Sequence, residues 1–273
     1  PSLDHCYLPG WDEAVHAAVA GNLAKHPATP TLFDQPFVPY DRHDWQANHV
    51  WLHMPPLPFW QAAVSVAVGG RSFFALRFPS LLLFMLTMAL IYGLGIRLYN
   101  EAAGLLGALL LAASPFAWMQ VQGYHFGDMT DVSLAFWLTA CILALERAVA
   151  TGRLRWVVAS GMAQGLALLT KSALALAPAG ALVVIWLLPR AGLALRPRPG
   201  WKLPAVHLGV ALVPALAWRL YSSLRWPEEF AREQAALWAH VTTSYEGHGR
   251  PWDAVFNDLI ANLFTPPFVL LVL

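Results

Sequence analysis

Charge is scarce in this chain. Only 12% of its residues are Asp, Glu, Lys or Arg, against roughly a quarter in a soluble domain. Some 58% are hydrophobic and mean hydropathy is +0.50, a composition that excludes an ordinary soluble domain and reads as a polytopic membrane protein. The charges that remain nearly cancel, at net +1. No Lys/Arg cluster reaches the density that a nucleic-acid footprint needs, so no nucleic-acid partner is expected. Cysteine is almost missing: Cys6 lies in a polar segment and Cys141 in an apolar run, which makes no disulfide framework. A starter Met and a signal peptide are also missing. The chain begins at Pro1 in a polar segment and stops at Leu273 inside an apolar run, so we read it as a fragment of a longer protein.

What is present is apolar sequence in long runs. Residues 1–77 contain no run long enough to span a bilayer. Within them Asp12 to Lys25 reads as a short amphipathic helix, with Val15, Ala18, Val19 and Leu23 on its apolar face. Thr29-Pro30-Thr31-Leu32 ends it. The prolines of the stretch from Trp51 to Trp60 exclude a regular helix there, its aromatics suit a membrane interface, and residues 59–69 read as a second interfacial helix. Residues 78–222 hold six spans or near-spans, at about 79–96, 102–121, 131–150, 154–170, 172–189 and 203–220. Residues 223–262 form a second large loop, and residues 263–273 start a further span. Gly161 and Gly165 have the spacing that lets membrane helices approach closely.

Placing residues 1–77 outside and alternating sides puts eight basic and two acidic residues in the inner loops, a net +6, and leaves nine basic and fourteen acidic residues outside, a net −5. The inner excess satisfies the positive-inside rule. The same assignment gathers Asp12, Glu13, Asp128, Asp131, Lys171 and the 223–262 loop on one outer face. Asp128 and Asp131, three apart at the mouth of an apolar run, share a helix face and sit where a helix N-terminus favours anions. Helix capping is the plain alternative for either. A second acidic pair on the same side, Asp12-Glu13, turns the arrangement toward chemistry.

Taken in order, Trp11-Asp12-Glu13, Thr29-Pro30-Thr31-Leu32, His53-Met54-Pro55-Pro56-Leu57, Arg77-Phe78-Pro79-Ser80, Thr130-Asp131-x-x-Leu134 and Gly165-Leu166-Ala167-Leu168-Leu169-Thr170-Lys171 resemble the membrane glycosyltransferases of the GT-C class, in the branch of the protein O-mannosyltransferases and the lipid A aminoarabinose transferases. The tail Glu246-Gly247-His248-x-x-Pro251-Trp252 resembles a segment of some bacterial members. The resemblance implies an all-α, GT-C-like transmembrane bundle in the bacterial inner membrane, with interfacial helices in its extracytoplasmic loops. It implies an inverting transferase that moves a sugar from a polyprenyl-phosphate donor to a lipid, glycan or protein acceptor on the periplasmic face. Carried over residue by residue, Asp12 is the general base, Glu13 its supporting neighbour and Asp131 the second acidic position. Lys171 faces the donor phosphate, and snorkelling to the interface is its alternative. Arg77 binds phosphate or anchors a helix end. Asp128, outside the shared pattern, ranks lower as a substrate contact, and Tyr245, Glu246 and His248 join the substrate set from the second loop.

The chain departs from that pattern at three places. Met54 stands where the family often has Lys, leaving His53 to supply a contact to phosphate. His16 stands where Tyr is common, and residues 38–50 are longer and more polar than expected. The cofactor is left open: a divalent metal ion could be held by the acidic set with His53, His240 and His248, although their spacing is not diagnostic. Two other functions compete. A transporter or flippase for a lipid-linked sugar would place charges near the midplane and show internal repeats, and neither is evident. A non-catalytic homologue that kept the scaffold is the other.

Overall fold

The computed structural model describes residues 11–35, 39–41, 47–124, 129–171, 174–180 and 201–242. Among them the protein is all helix apart from one isolated bridge between Thr31 and Val50. In chain order the helices are α1 (Trp11–Leu23), α2 (Leu57–Gly69), α3 (Phe73–Leu98), α4 (Glu101–Ala112), α5 (Pro115–Val121), α6 (Met129–Thr151), α7 (Leu154–Leu168), α8 (Lys202–Arg225) and α9 (Pro227–Thr242), with a short 3-10 turn at Leu174–Leu176. By length and composition α3, α6 and α8 can each cross a membrane, and α4 with α5 makes a fourth candidate if taken as one bent span.

That bend corrects one expectation. The apolar run 102–121 is two helices meeting at 59°. Ser114 accepts a hydrogen bond from the Ala117 N–H and Pro115 opens the new helix, a cap and first-turn pair that starts a helix where hydrophobicity alone reads a continuous one. Three further boundaries move. The Trp51–Trp60 prolines do not keep the helix out of that stretch to its end: α2 begins at Leu57 with Pro58 in its first turn, where a missing N–H costs nothing. The last span runs on to Arg225. The 223–262 segment opens as helix α9 rather than as a polar connection. Most of the 172–189 run lies outside the described residues.

Packing runs α4–α3–α6–α7–α8 in space, with α2 laid against α3 and α1 against α2. The α7–α8 contact depends on glycine. A Cβ on Gly161 would stand 2.7 Å from the His207 carbonyl oxygen, and one on Gly165 would stand 2.5 Å from Pro214 Cγ and 2.7 Å from the Ala211 oxygen. Because Gly161 meets residues 207–210 and Gly165 meets 211–214, the two helices run parallel. Polar groups seal the same seam. The His207 ring lies 2.9 Å from Ser160 Oγ and 2.6 Å from Gln164 Oε1, and Gln164 Nε2 donates to the Ala175 carbonyl at 3.1 Å.

The amphipathic helix α1 is rotated from its expected setting. Val19 and Leu23 are buried, but Ala18 is exposed and Glu13, His16 and Asn22 go inside. Glu13 and Asn22 gain hydrogen bonds that offset the cost of burial, and His16 packs among rings. His16 meets Trp51 edge-on and Phe59 at 4.9 Å between ring centroids, the Asn22 amide donates to the Thr31 carbonyl, and Glu13 pairs with Arg77. Val19, Ala20 and Leu23 share one apolar cluster with Phe59, Ala62, Leu76 and Met129, which fixes α1 beside the first residue of α6.

Candidate functional site

One end of the bundle collects the start of α1, the starts of α3 and α6, and the ends of α7 and α8. Two ion pairs are built there. The Arg77 guanidinium grips Glu13 through two parallel bonds, Nε to Oε1 at 2.7 Å and Nη2 to Oε2 at 2.9 Å. Their side chains are only 3% and 4% exposed, and the guanidinium also lies 5.3 Å from the Phe73 ring centre. The carboxylate reaches this position because residue 123 has no side chain: Gly123 holds φ +70°, and a Cβ there would fall 2.1 Å from Glu13 Oε1. So Glu13 and Arg77 tie α1, α3 and the end of α5 together. Of the two roles expected for Arg77, the geometry supplies the anchor, and Glu13 is placed as its counter-ion beside Asp12, which is half-buried in the first turn of α1.

The second pair is Lys171 with Asp131, the ammonium donating to Oδ1. Here the side chains are 26% and 23% exposed, so the pair is within reach of a ligand. Asp131 stands in the first turn of α6. Lys171 follows the end of α7, where Thr170 is fully buried and the Leu169 carbonyl accepts the Leu57 N–H at 3.1 Å, joining the Pro55-Pro56-Leu57 segment to the lysine.

Lys171 stands on the wall of a cavity of about 500 Å³. Leu168, Leu176, Leu212, Leu216 and Leu237, with Met54, make it apolar over most of its length, and His53, Arg219 and Glu233 give it a polar end. His53 Nδ1 lies 3.2 Å from Glu233 Oε2, and Arg232 Nη2 donates to Oε1 at 2.7 Å. Burial pushes the Glu233 carboxyl up, but the hydrogen bonds from His53 and Arg232 outweigh it and hold the group below its usual 4.5. A second groove of about 710 Å³, almost wholly apolar, lies between the end of α1, α2 and α8, and shares Leu169 and Trp218 with the first.

The structure therefore brings His53 and Lys171 to one cavity, links Asp131 to it through Lys171, and sets Asp12 and Glu13 at the same end of the bundle. Asp128, Tyr245, Glu246 and His248 lie outside the described residues, as does the side chain of His240. Among the described residues no three His, Cys, Asp or Glu side chains are clustered as a metal ion would require, and the one expected histidine ligand on view, His53, is engaged with Glu233. Sequence reading missed Arg219, Ser222 and Glu233. A signal for the last was available: Phe230, Glu233, Gln234 and Leu237 recur at i, i+3, i+4 and i+7, one face of a helix, and all four line the cavity.

Comparison with known proteins gives the following. The family model described as dolichyl-phosphate-mannose-protein mannosyltransferase matches residues 53–218. An undecaprenyl phosphate-alpha-4-amino-4-deoxy-L-arabinose arabinosyl transferase 2 of Proteus mirabilis is 30% identical over 49% of this chain and 25% of its own length. The corresponding transferase of Pseudomonas paraeruginosa is 28% identical over 77% of this chain and 38% of its own. The chain thus spans between a quarter and about two fifths of the length of these relatives. Crystal structures of ArnT from Cupriavidus metallidurans superpose over 83% of the chain, with TM-score 0.63 in the apo state and 0.64 bound to undecaprenyl phosphate, at 23% and 22% identity.

Proposed function

The chain belongs to the dolichyl-phosphate-mannose-protein mannosyltransferase family, its all-α membrane fold is of the GT-C kind, and from that premise we propose that it transfers a sugar from a polyprenyl-phosphate donor to an acceptor oxygen. The observation that carries the reading is the cavity beside Lys171. A lipid-borne donor is a long apolar tail, a phosphate and a small polar ring, and the cavity offers apolar walls with one lysine at the rim and a polar end. Its relatives' names point to an undecaprenyl chain carrying a 4-amino-4-deoxy-L-arabinose as the first donor to try.

In this mechanism the acceptor oxygen attacks the anomeric carbon from the face opposite the phosphate. The bond between that carbon and the phosphate oxygen breaks, its electron pair leaves with the polyprenyl phosphate, and the configuration inverts. Asp12 takes the acceptor proton, a contribution of roughly 10²–10⁴-fold. Lys171, aligned by Asp131, meets the charge that grows on the phosphate. Charge supports a reaction side. Arg97 pairs with Glu146, and Arg147 stacks on Trp156, at the end of the bundle remote from Asp131, where Arg153, Arg155 and Lys202 also start their helices. The positive-inside rule favours that end as the cytoplasmic one, which supports an extracytoplasmic setting for the ion pair of Lys171.

The test is product analysis with the full-length protein in membranes: transfer should depend on the lipid donor and fall at least 100-fold in Asp12→Asn with donor binding retained. A flippase would move the donor with its sugar–phosphate bond intact, so release of bare polyprenyl phosphate separates the two readings. Wild-type transfer rates in Asp12→Asn would refute the assignment of the base.

A further inference from the structure

On α8 the residues that line the cavity near Lys171 are Leu212, Ala215, Leu216, Trp218, Arg219 and Ser222, a single helix face running about 15 Å at 1.5 Å per residue. The face is apolar for its first half and polar at its end. That end is built with buried groups. Ser222 is 1% exposed, and its Oγ is one of four buried side-chain N or O atoms among the described residues with no hydrogen-bond partner. The others, on Asn48, Ser133 and Trp137, are not on this cavity. Buried hydroxyls are paired as a rule, and this one belongs to a residue that lines the cavity, so turning about χ1 can offer it to a partner's polar atom. Across from it on α9, Glu233 is 7% exposed. Each of its oxygens already accepts one bond, from Arg232 and from His53, and each retains a lone pair.

We infer that Ser222 and Glu233 form a subsite for the glycosyl ring of the donor, an inference that rests on the proposed function. The chemistry separates sugar from phosphate. The Glu233 carboxylate repels a phosphate anion, and the one cation on this α8 face that lines the cavity, Arg219, donates to Gln234 Oε1 and lies over the Phe230 ring. Phosphate is therefore drawn to Lys171, whereas a ring hydroxyl donates to a carboxylate and both donates to and accepts from a serine hydroxyl. The two ends of the headgroup are thereby assigned to different walls: phosphate to Lys171, ring to α8 and α9. Recognition of this kind discriminates, because a lipid lacking the ring leaves the buried groups unpaired.

The experiment uses the full-length protein in lipid nanodiscs and two probes, bare undecaprenyl phosphate and undecaprenyl phosphate-α-4-amino-4-deoxy-L-arabinose. Ser222→Ala should bind the bare lipid as the wild type does and the glycosylated lipid about 3–10-fold more weakly, the effect of one lost hydrogen bond. Ser222→Thr, which keeps the hydroxyl, should restore most of the difference, and Glu233→Gln should reproduce the selective loss. Equal weakening of both probes would assign the wall to phosphate, and unchanged binding of both would assign it to packing; either overturns the subsite while leaving the donor reading in place. A wild-type protein that binds neither probe overturns the donor reading and the subsite with it.

Discussion

Replacing Arg77 by Met should do more damage to stability than removing any exposed charge. The guanidinium is the bidentate partner of a carboxylate that is itself only 4% exposed, and Gly123 presses its backbone against that carboxylate from the other side. Without Arg77, Glu13 is left as an uncompensated charge that water cannot reach. Breaking a buried pair by removing one partner costs about 3–5 kcal/mol, which converts to a fall in Tm of roughly 6–20 °C at the 2–4 °C per kcal/mol expected of a chain of this size. The partner experiment gives the reasoning its edge. Replacing both residues, Glu13→Met with Arg77→Met, removes the stranded charge, and well-packed apolar substitutes for a buried pair are often neutral or better. The double variant should therefore melt closer to the wild type than Arg77→Met alone. Thermal unfolding of the purified protein in detergent, run as a double-mutant cycle, reads both quantities. An Arg77→Met protein that melts within 2 or 3 °C of the wild type, roughly one kcal/mol, or a double variant less stable than either single one, would refute the account of this pair.

Three further outcomes are expected. Gly165→Leu should separate α7 from α8, since its first added carbon already meets Pro214 and the Ala211 backbone; loss of the monodisperse folded peak on size exclusion, against an unaffected Gly180→Ala control in open space, checks it. Lys171→Ala should raise the donor concentration needed for half-maximal transfer and slow turnover with the melting temperature kept, and unchanged kinetics would return the residue to an interfacial role. Glu233 titrates lower in the folded protein than its ordinary 4.5, so it adds stability that is present above that value and drains away as pH falls through the folded pKa. Hydrogen-exchange protection over α9, corrected for the intrinsic pH dependence of exchange, should accordingly hold from neutral pH down to about 4.5 and fall below it, with Glu233→Gln flattening that step.

Class and order of elements were legible because they follow from composition and run length, which need no knowledge of neighbours. The family resemblance was legible for the same reason: its motifs are local strings. The pairings were not. Glu13 and Arg77 are 64 residues apart and Asp131 and Lys171 are 40 apart, and nothing in either string states that a carboxylate will go inside. Hydrophobic periodicity set the inward face of α1 from Val15, Ala18, Val19 and Leu23, and the real face differs because Glu13 and His16 bring their own buried partners. The bend at Ser114-Pro115 was readable from cap chemistry, but a run of apolar residues on either side outweighed it. Ser222 carries no signal at all, since one serine near the end of an apolar helix is ordinary until a cavity is found beside it.

The lock on Glu13 also sets a compass bearing for its neighbour. Consecutive residues of a helix point about 100° apart around the axis, so once Glu13 is clamped inward by Arg77 and the Gly123 backbone, α1 cannot spin, and the heading of Asp12 is decided without any contact of its own. The base proposed at Asp12 gains from this. Its bearing is held by the adjacent residue, and a change at Gly123, remote in sequence, would turn it.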